Sequence, residues 1–346
     1  MNLSKSISFI IPAFNAENTI EICLSKILLE SQKFDSEIIV IDDCSTDNTT
    51  GIVDKFESVK LFKLKKNRGV GYARNVGCRL AKNNILCYID SDLVISTNSV
   101  LNLVNTLISD KNNGSVGAIP IGTTLNKNSW SSKFVGLVSS FGFDDVLEKT
   151  VTTDAQSEFF VIYKDFLRKI GGWRYYRNAG GEEFELGDRI TYHCKKNLKI
   201  KSATYETYWA DLYTKFKKNI DRTEKYIHIL FQRQKEKKIS FDSIGSSATL
   251  NDAISALITG FITINLIILI FIKSISFFLL LIILFLIQFY LEFKFLLIAK
   301  KKYGFKMFFY SIYGIQIWNL GIVFGGIYFC INLIKRIFKN KFNIKV

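Results

Sequence analysis

Over the first ninety positions, apolar residues alternate between short solid runs and stripes at helical spacing. Ile7 to Ile11 is a β-rich run closed by Pro12, and Ala16 to Leu29 carries Ile20, Cys23, Leu24, Ile27 and Leu28 on one helical face. Glu37 to Ile41 is a second run, stopped by Asp42 and Asp43, and Thr46 to Phe56 opens on cap-type residues. Val59 to Leu64 is a third run, Gly69 to Lys82 a helix behind glycines, and Ile85 to Ile89 a fourth run. Strands alternating with helices predict an α/β fold, with a mostly parallel open sheet flanked by helices. Ligands of such sheets bind beyond the carboxyl ends of the strands. Those ends carry Asn15 and Glu17, then Asp42 and Asp43, then Asp90 and Asp92, which predicts a single polar site.

Further along, the pattern predicts a helix over Ser99 to Ser109 and strands over Val116 to Ile121 and Phe159 to Tyr163. Then follow a helix Lys164 to Ile170, a Gly171-Gly172 turn, a helix Glu182 to Lys196 and a strand Ile200 to Tyr205. The stretch from 121 to 158 has no readable motif. Residues 213–238 interleave Lys and Arg with Phe216, Ile220, Tyr226, Ile227, Leu230 and Phe231. That fits a helix on a membrane surface, or a solvated helix packed on the domain.

Three long apolar stretches come next: Ala253 to Ile272, Ser274 to Leu291 and Met307 to Ile334, the last interrupted by Asn319, Gly321, Gly325 and Gly326. Their length suits bilayer crossing. The expected organisation is an α/β domain over 1–240, a membrane region over 250–334 with two to three helices, and a basic tail over 335–346. The run Ile7 to Phe14 is too short for a signal peptide and contains Pro12, so the first domain is expected in the cytoplasm. Three spans would then leave the tail outside, yet Lys335, Arg336, Lys339, Lys341 and Lys345 favour the cytoplasmic side. Either the third stretch does not span fully or the rule is broken.

The net charge of +15 raises nucleic acid as a partner, but no nucleic-acid module is present. Lysines beside membrane helices and a general richness in Lys, Asn and Ile account for the excess. The six cysteines include no C-x-x-C pair and the histidines are only His193 and His228, which argues against zinc or triad chemistry.

The chemistry centres on Asp90-Ser91-Asp92, directly after the fourth strand. Two carboxylates one residue apart at a strand end can hold a hard divalent cation that bridges a diphosphate. Alone the pattern is weak. It is preceded in order by Ile10-Ile11-Pro12-Ala13-Phe14-Asn15-Ala16-Glu17, by Ile41-Asp42-Asp43-Cys44-Ser45-Thr46-Asp47, and by Asn67-Arg68-Gly69-Val70-Gly71-Tyr72-Ala73-Arg74-Asn75. This series closely resembles the family 2 glycosyltransferases, which have the GT-A fold. The likeness is dense over the first hundred residues and resumes at Phe159 to Trp173 and Gly180 to Asn197.

The resemblance implies an inverting transfer of sugar from a nucleotide-sugar donor, most often a UDP-sugar, with Mg²⁺ or Mn²⁺ as cofactor. Pro12, Ala13, Phe14, Asn15 and Glu17 would line the nucleotide. Asp43, with Asp42 beside it, would meet base or ribose, and Gly71 and Arg74 would border the base. Asp90 would serve ribose and metal, and Asp92 the metal. The family's catalytic base, an aspartate at a helix start, falls on Glu183, with Glu182 the alternative. Glu is one methylene longer there. Acidic residues also gather at helix starts for the dipole alone. Gly171-Gly172-Trp173 resembles the turn bordering the acceptor. The apolar helices point to a membrane-associated, lipid-linked or glycan acceptor in cell-envelope synthesis. Among rivals, a processive polysaccharide synthase would carry Q-x-x-R-W, absent here. A dinucleotide oxidoreductase would carry G-x-G-x-x-G where Pro12 to Asn15 stand. A non-catalytic tether would not need Asp90, Asp92 and Glu183.

Overall fold

The computed structural model describes residues 6–143, 148–174, 181–235 and 250–342. Gly180, residues 236–238 of the basic stretch and residues 343–346 of the tail lie outside them. In chain order the elements are β1 (Ser6–Ala13), α1 (Ile20–Ser31), β2 (Asp35–Asp42), α2 (Thr49–Val53), β3 (Val59–Lys63), α3 (Val70–Leu80), β4 (Ile85–Ile89) and β5 (Leu93–Ile95). Then come α4 (Ser99–Ser109), β6 (Asn113–Thr124), α5 (Trp130–Phe141), β7 (Lys149–Thr152), β8 (Phe159–Tyr163), α6 (Lys164–Lys169), α7 (Glu182–Tyr192) and β9 (Lys196–Thr207). The chain closes with α8 (Leu212–Lys235), α9 (Leu250–Phe271), α10 (Ile275–Tyr303) and α11 (Phe305–Phe342).

The elements fall into two units, Met1–Leu125 with Gly142–Tyr208, and Asn126–Phe141 with Trp209–Val346. The first holds a nine-stranded mixed sheet in the order β3-β2-β1-β4-β8-β6-β9-β5, with β7 against β9. Helical crossovers make β1, β2, β3 and β4 parallel. Beyond β4 the sheet departs from the expected parallel character, because β8 runs antiparallel to both β4 and β6. Only β6 and β9 restore a parallel pair in that half, among the described residues.

Alternation along β1 decides which helix covers which face. Phe9 and Ile11 point into a cluster with Ile20 and Leu24 of α1 and Val100 and Leu103 of α4. Ile10 points the other way, towards Ala73 and Val76 of α3. The contact there is close: a Cβ added at Gly77 would lie 2.2 Å from Ile10 Cγ2. Helix α1 begins at Ile20 rather than near Ala16, because the residues before it form a loop. In that loop Asn15 has φ 50° and the Ala16 carbonyl accepts the N–H groups of Thr19 and Ile20.

In the second unit, three helices are long and apolar enough to cross a membrane, over Ala253–Phe271, Ile275–Tyr303 and Phe305–Lys335. Helix α5, from the stretch without a readable motif, belongs here: Phe134 packs in a cluster with Phe295, Ala299 and Met307. Within the apolar bundle a polar seam joins the helices. Gln288 donates to Thr259 Oγ1 at 2.8 Å, Gln316 to Gln288 Oε1 at 2.7 Å, and Asn319 to Ser255 Oγ at 2.9 Å. Such bonds hold helices together where packing against lipid supplies little hydrophobic force.

Candidate active site

The loop after β1 and the loop after β2 are laced together. The Asn15 N–H donates to Ser45 Oγ at 2.9 Å, and Asn15 Oδ1 accepts the Thr46 N–H at 2.8 Å. The Glu17 N–H reaches Asp47 Oδ2 and the Asn48 N–H reaches Glu17 Oε2, both at 3.0 Å. Burial would raise the Asp47 carboxyl, but hydrogen bonds from Thr49 and from the Glu17 N–H outweigh it and hold it below the usual range. Asn15 and Glu17 therefore shape the loop, while Phe14, 48% exposed, is its presenting side chain.

Asp42 and Asp43 are both buried. Asp42 accepts the Ser45 N–H at 3.2 Å. Asp43 accepts the N–H groups of Arg68 and Gly69 at 2.8 and 2.7 Å, fixing the entry to α3. Burial raises its carboxyl, those two bonds pull it down, and neighbouring Asp42 adds to the rise.

Arg74 ties three of the sequence blocks together. Its buried guanidinium donates from Nη2 to Asp90 Oδ1 at 2.8 Å and stacks over the Trp173 ring at 4.6 Å. Its Nε and Nη1 find no hydrogen-bond partner among the described residues. Burial works against its charge, yet Asp90 first, then Glu182, favour it and raise its pKa. The next residue anchors the Gly171-Gly172-Trp173 turn: Asn75 Nδ2 donates to the Trp173 carbonyl at 2.7 Å and Oδ1 accepts the Trp173 N–H at 2.9 Å. Gly172 is at φ 69°, where an added Cβ would meet Asn75 Oδ1 at 2.7 Å. Gly71 is also tight, with an added Cβ 3.0 Å from the Arg174 carbonyl.

A cavity of about 380 Å³ opens at the carboxyl ends of β1 and β4. Pro12, Phe14, Asn15, Asp90 and Asp92, all expected from sequence, line it. Ala13, Glu17, Asp42, Asp43, Gly71, Arg74, Glu182 and Glu183 do not, and act on it at most from behind its wall. Thr19, Val70 and Tyr208 line it without having been expected. Tyr208 directly follows β9, so the rule of strand carboxyl ends marks it once β9 is known to extend to Thr207.

Burial pushes the Asp90 carboxyl up to about 7; Arg74 pulls against it, and Asp92 and Glu158 add to the rise. Glu158 is a further unexpected participant, taking the Asp90 N–H on its carbonyl at 2.9 Å and the Tyr205 hydroxyl on its carboxylate at 2.5 Å. Arg74 pairs with Asp90, and the neighbouring charges of Asp92 and Glu158 add negative potential and hard oxygen atoms around it. No group of three or more His, Cys, Asp or Glu side chains gathers as a complete ligand set among the described residues. A hard divalent cation needs only one or two carboxylates when a phosphate supplies further oxygens, and Asp90 and Asp92 fit that role.

Gly181, with φ 95°, leads into α7. Glu182 is buried and Glu183 half-buried. Glu183 accepts the Gly181 N–H at 3.2 Å, and its carbonyl takes the Ala155 N–H. Glu185 pairs with Arg189 and Arg174.

Residues 8–171 match the model of glycosyl transferase family 2. The chain carries a family 2 glycosyltransferase domain. Over 107 residues the domain is 32% identical to the UDP-Glc:alpha-D-GlcNAc-diphosphoundecaprenol beta-1,3-glucosyltransferase WfaP of Escherichia coli, a match covering 30% of this chain and 42% of that protein. It is 34% identical over 106 residues to the poly(ribitol-phosphate) beta-N-acetylglucosaminyltransferase TarP of Staphylococcus aureus, covering 29% and 32%. The matched stretch is thus less than half the length of either relative. The glycosyltransferase domain also shares its fold with the mannosyltransferase PcManGT from Pyrobaculum calidifontis, solved with GDP-Man and Mn²⁺. That likeness has a TM-score of 0.50 and 18% identity, and covers 66% of this chain and 65% of that one.

Proposed function

We propose that the protein transfers a sugar, with inversion at the anomeric carbon, from a nucleoside diphosphate sugar to a lipid-linked acceptor at a membrane. The donor in this reading is a UDP-sugar. The observation that carries it is the single cavity bringing Pro12, Phe14 and Asn15 together with Asp90 and Asp92. The names of WfaP and TarP, one acting on a diphosphoundecaprenol glycan and one on poly(ribitol-phosphate), support an envelope glycan as product. The apolar helices support a membrane location. In this reading the catalytic domain is on the cytoplasmic side.

Phe14 and the loop around Asn15 receive the nucleoside, and Asp90 and Asp92 would hold a divalent cation, Mg²⁺ or Mn²⁺. When bound, that ion neutralises charge building on the leaving diphosphate. Arg74 keeps Asp90 in place and braces the Trp173 turn on the acceptor side. Glu183 takes the proton from the acceptor hydroxyl as its oxygen bonds to the anomeric carbon and the bond to the β-phosphate oxygen breaks. With a lipid phosphate acceptor, already ionised, Glu183 orients it instead. Attack opposite the leaving group inverts the centre.

The test is a panel of nucleotide sugars offered to detergent-solubilised protein with Mn²⁺ or Mg²⁺ and a membrane lipid extract, followed by NMR of the anomeric linkage. One donor, metal-dependent turnover and an inverted linkage are expected. A retained configuration overturns the mechanism.

A further inference from the structure

Helix α11 is covered on two opposite faces over the same turns. On one face, Asn219 Nδ2 of α8 donates to the Trp318 carbonyl at 3.3 Å. A Cβ added at Gly321 would lie 2.9 Å from the Phe216 carbonyl oxygen, and one at Gly325 2.7 Å from that of Ile220. The contact continues to Asn332, whose Nδ2 donates to Glu224 Oε1 at 2.7 Å. Helices α8 and α11 therefore run parallel and in contact, from Phe216 to Glu224 of α8, roughly 12 Å at 1.5 Å per residue, beside the α11 residues between Trp318 and Asn332. On the other face, Asn319 bonds Ser255 and Thr259 of α9, and Gly260 faces Val323. The α10 contact, through Gln316 and Gln288, falls on that same side.

These positions conflict with the reading of α9, α10 and α11 as three helices standing across a bilayer. Lys217, Lys218, Asp221 and Arg222 of α8 are exposed, and they flank Asn219, Ile220 and Thr223, the residues that touch α11. They lie beside Trp318 to Asn332, the stretch of α11 that a crossing would place in hydrocarbon. Exposed charge at that depth is costly and is not tolerated on a lipid-facing surface. On the opposite side, α10 presents an uninterrupted apolar surface including Phe278, Leu279, Ile283 and Leu286.

We propose that α8 to α11 form a monotopic wedge whose helices lie in the plane of the membrane. The inference rests on the membrane location given above. The α9–α10 side contacts lipid acyl chains, α11 lies at the boundary, and α8 faces water and headgroups. Packed helices are about 8–10 Å apart. One layer below α11 therefore fits within a single leaflet, half of a hydrocarbon core of about 30 Å. The cations Lys217, Lys218 and Arg222 then sit at headgroup level, and the basic residues from Lys335 onward remain on the side the chain came from. That removes the clash between three spans and a basic tail.

The test uses the full chain in intact cells, with a cysteine placed between α9 and α10 by Lys273→Cys in a background where the exposed native cysteines are removed by Cys194→Ser and Cys330→Ser. A membrane-impermeant maleimide is added before or after lysis, with an external-cysteine protein as positive control. A second form of the chain carries a fluorescent protein or alkaline phosphatase at its C-terminus. The wedge predicts labelling of the introduced cysteine only after lysis, a fluorescent fusion and an inactive phosphatase fusion. Labelling in intact cells, or an active phosphatase, overturns it in favour of spanning helices. Membrane fractionation of the same cells separates the two readings. A chain that stays with membranes but labels from outside sinks the wedge alone, while a chain found in the soluble fraction sinks the membrane location and the wedge together.

Discussion

At the residue scale, the candidate site depends on which charges face one another. Asp92 lines the cavity and is exposed, so Asp92→Ala should leave the melting temperature of the protein unchanged while turnover falls by a factor of about 10² or more. Activity and thermal melting on the same preparation check this. Arg74 behaves differently. Arg74→Met leaves Asp90 without its ion partner and Trp173 without its stacked cation, and should cost about 3 kcal/mol of stability as well as activity. Denaturant unfolding measures that cost. Glu183→Gln should lower kcat by roughly 10²–10⁴ and leave the dissociation constant of the nucleotide donor unchanged, since Glu183 lies outside the cavity lining. A weakened donor affinity would move Glu183 out of the role of base. Away from the site, burial favours a neutral Glu37, but hydrogen bonds from Lys60, the Lys82 N–H and Ser8 prevail and hold its pKa below the usual value. A depressed carboxylate stabilises the fold above its unfolded pKa, and that contribution disappears as pH falls through the folded value. Glu37→Gln should therefore lower the melting temperature at pH 7, with the gap from the parent protein closing under acid conditions below the ordinary glutamate range, about pH 4.

At the scale of elements, what was legible in the sequence is what depends on neighbours in the chain. The runs in β1 to β4 and the stripes of α1, α3 and α4 show because each buries one patterned face. Closeness between elements also leaves a local mark, as at Gly77, where Gly77→Ala would push a methyl into Ile10 and should cost about 1–3 kcal/mol in an unfolding measurement. The three-residue strand β5 and the four-residue strand β7 were missed because neither has length enough for a period; both exist by pairing with β9, more than forty residues later. The antiparallel half of the sheet was missed for a related reason, since strand direction depends on connections that carry no apolar signature. The site divides the same way. Asp90, Asp92 and the Pro12 to Asn15 loop sit on strand ends readable from local pattern. Tyr208 enters only through the pairing of β9, and the Arg74–Asp90 bond joins a helix to a strand end across the sheet. The expected base-contacting role of Asp43 rests on resemblance, while the structure places both its oxygens on the N–H groups ahead of α3.

At the scale of the molecule, composition and contacts divide the chain differently. Composition separates a polar first part from an apolar last quarter. Contacts place α5 and the charged α8 with the apolar helices. A basic amphipathic helix packed on an apolar bundle suits the proposed transfer to a lipid-linked acceptor at a bilayer surface. The most direct test of this account is the transfer of radiolabelled sugar from its nucleotide to the organic-soluble lipid fraction, by the parent protein and by Asp92→Ala. The account predicts label in the lipid phase that requires a divalent cation and disappears with Asp92→Ala. Label that reaches lipid equally well without metal and with Asp92→Ala would contradict it.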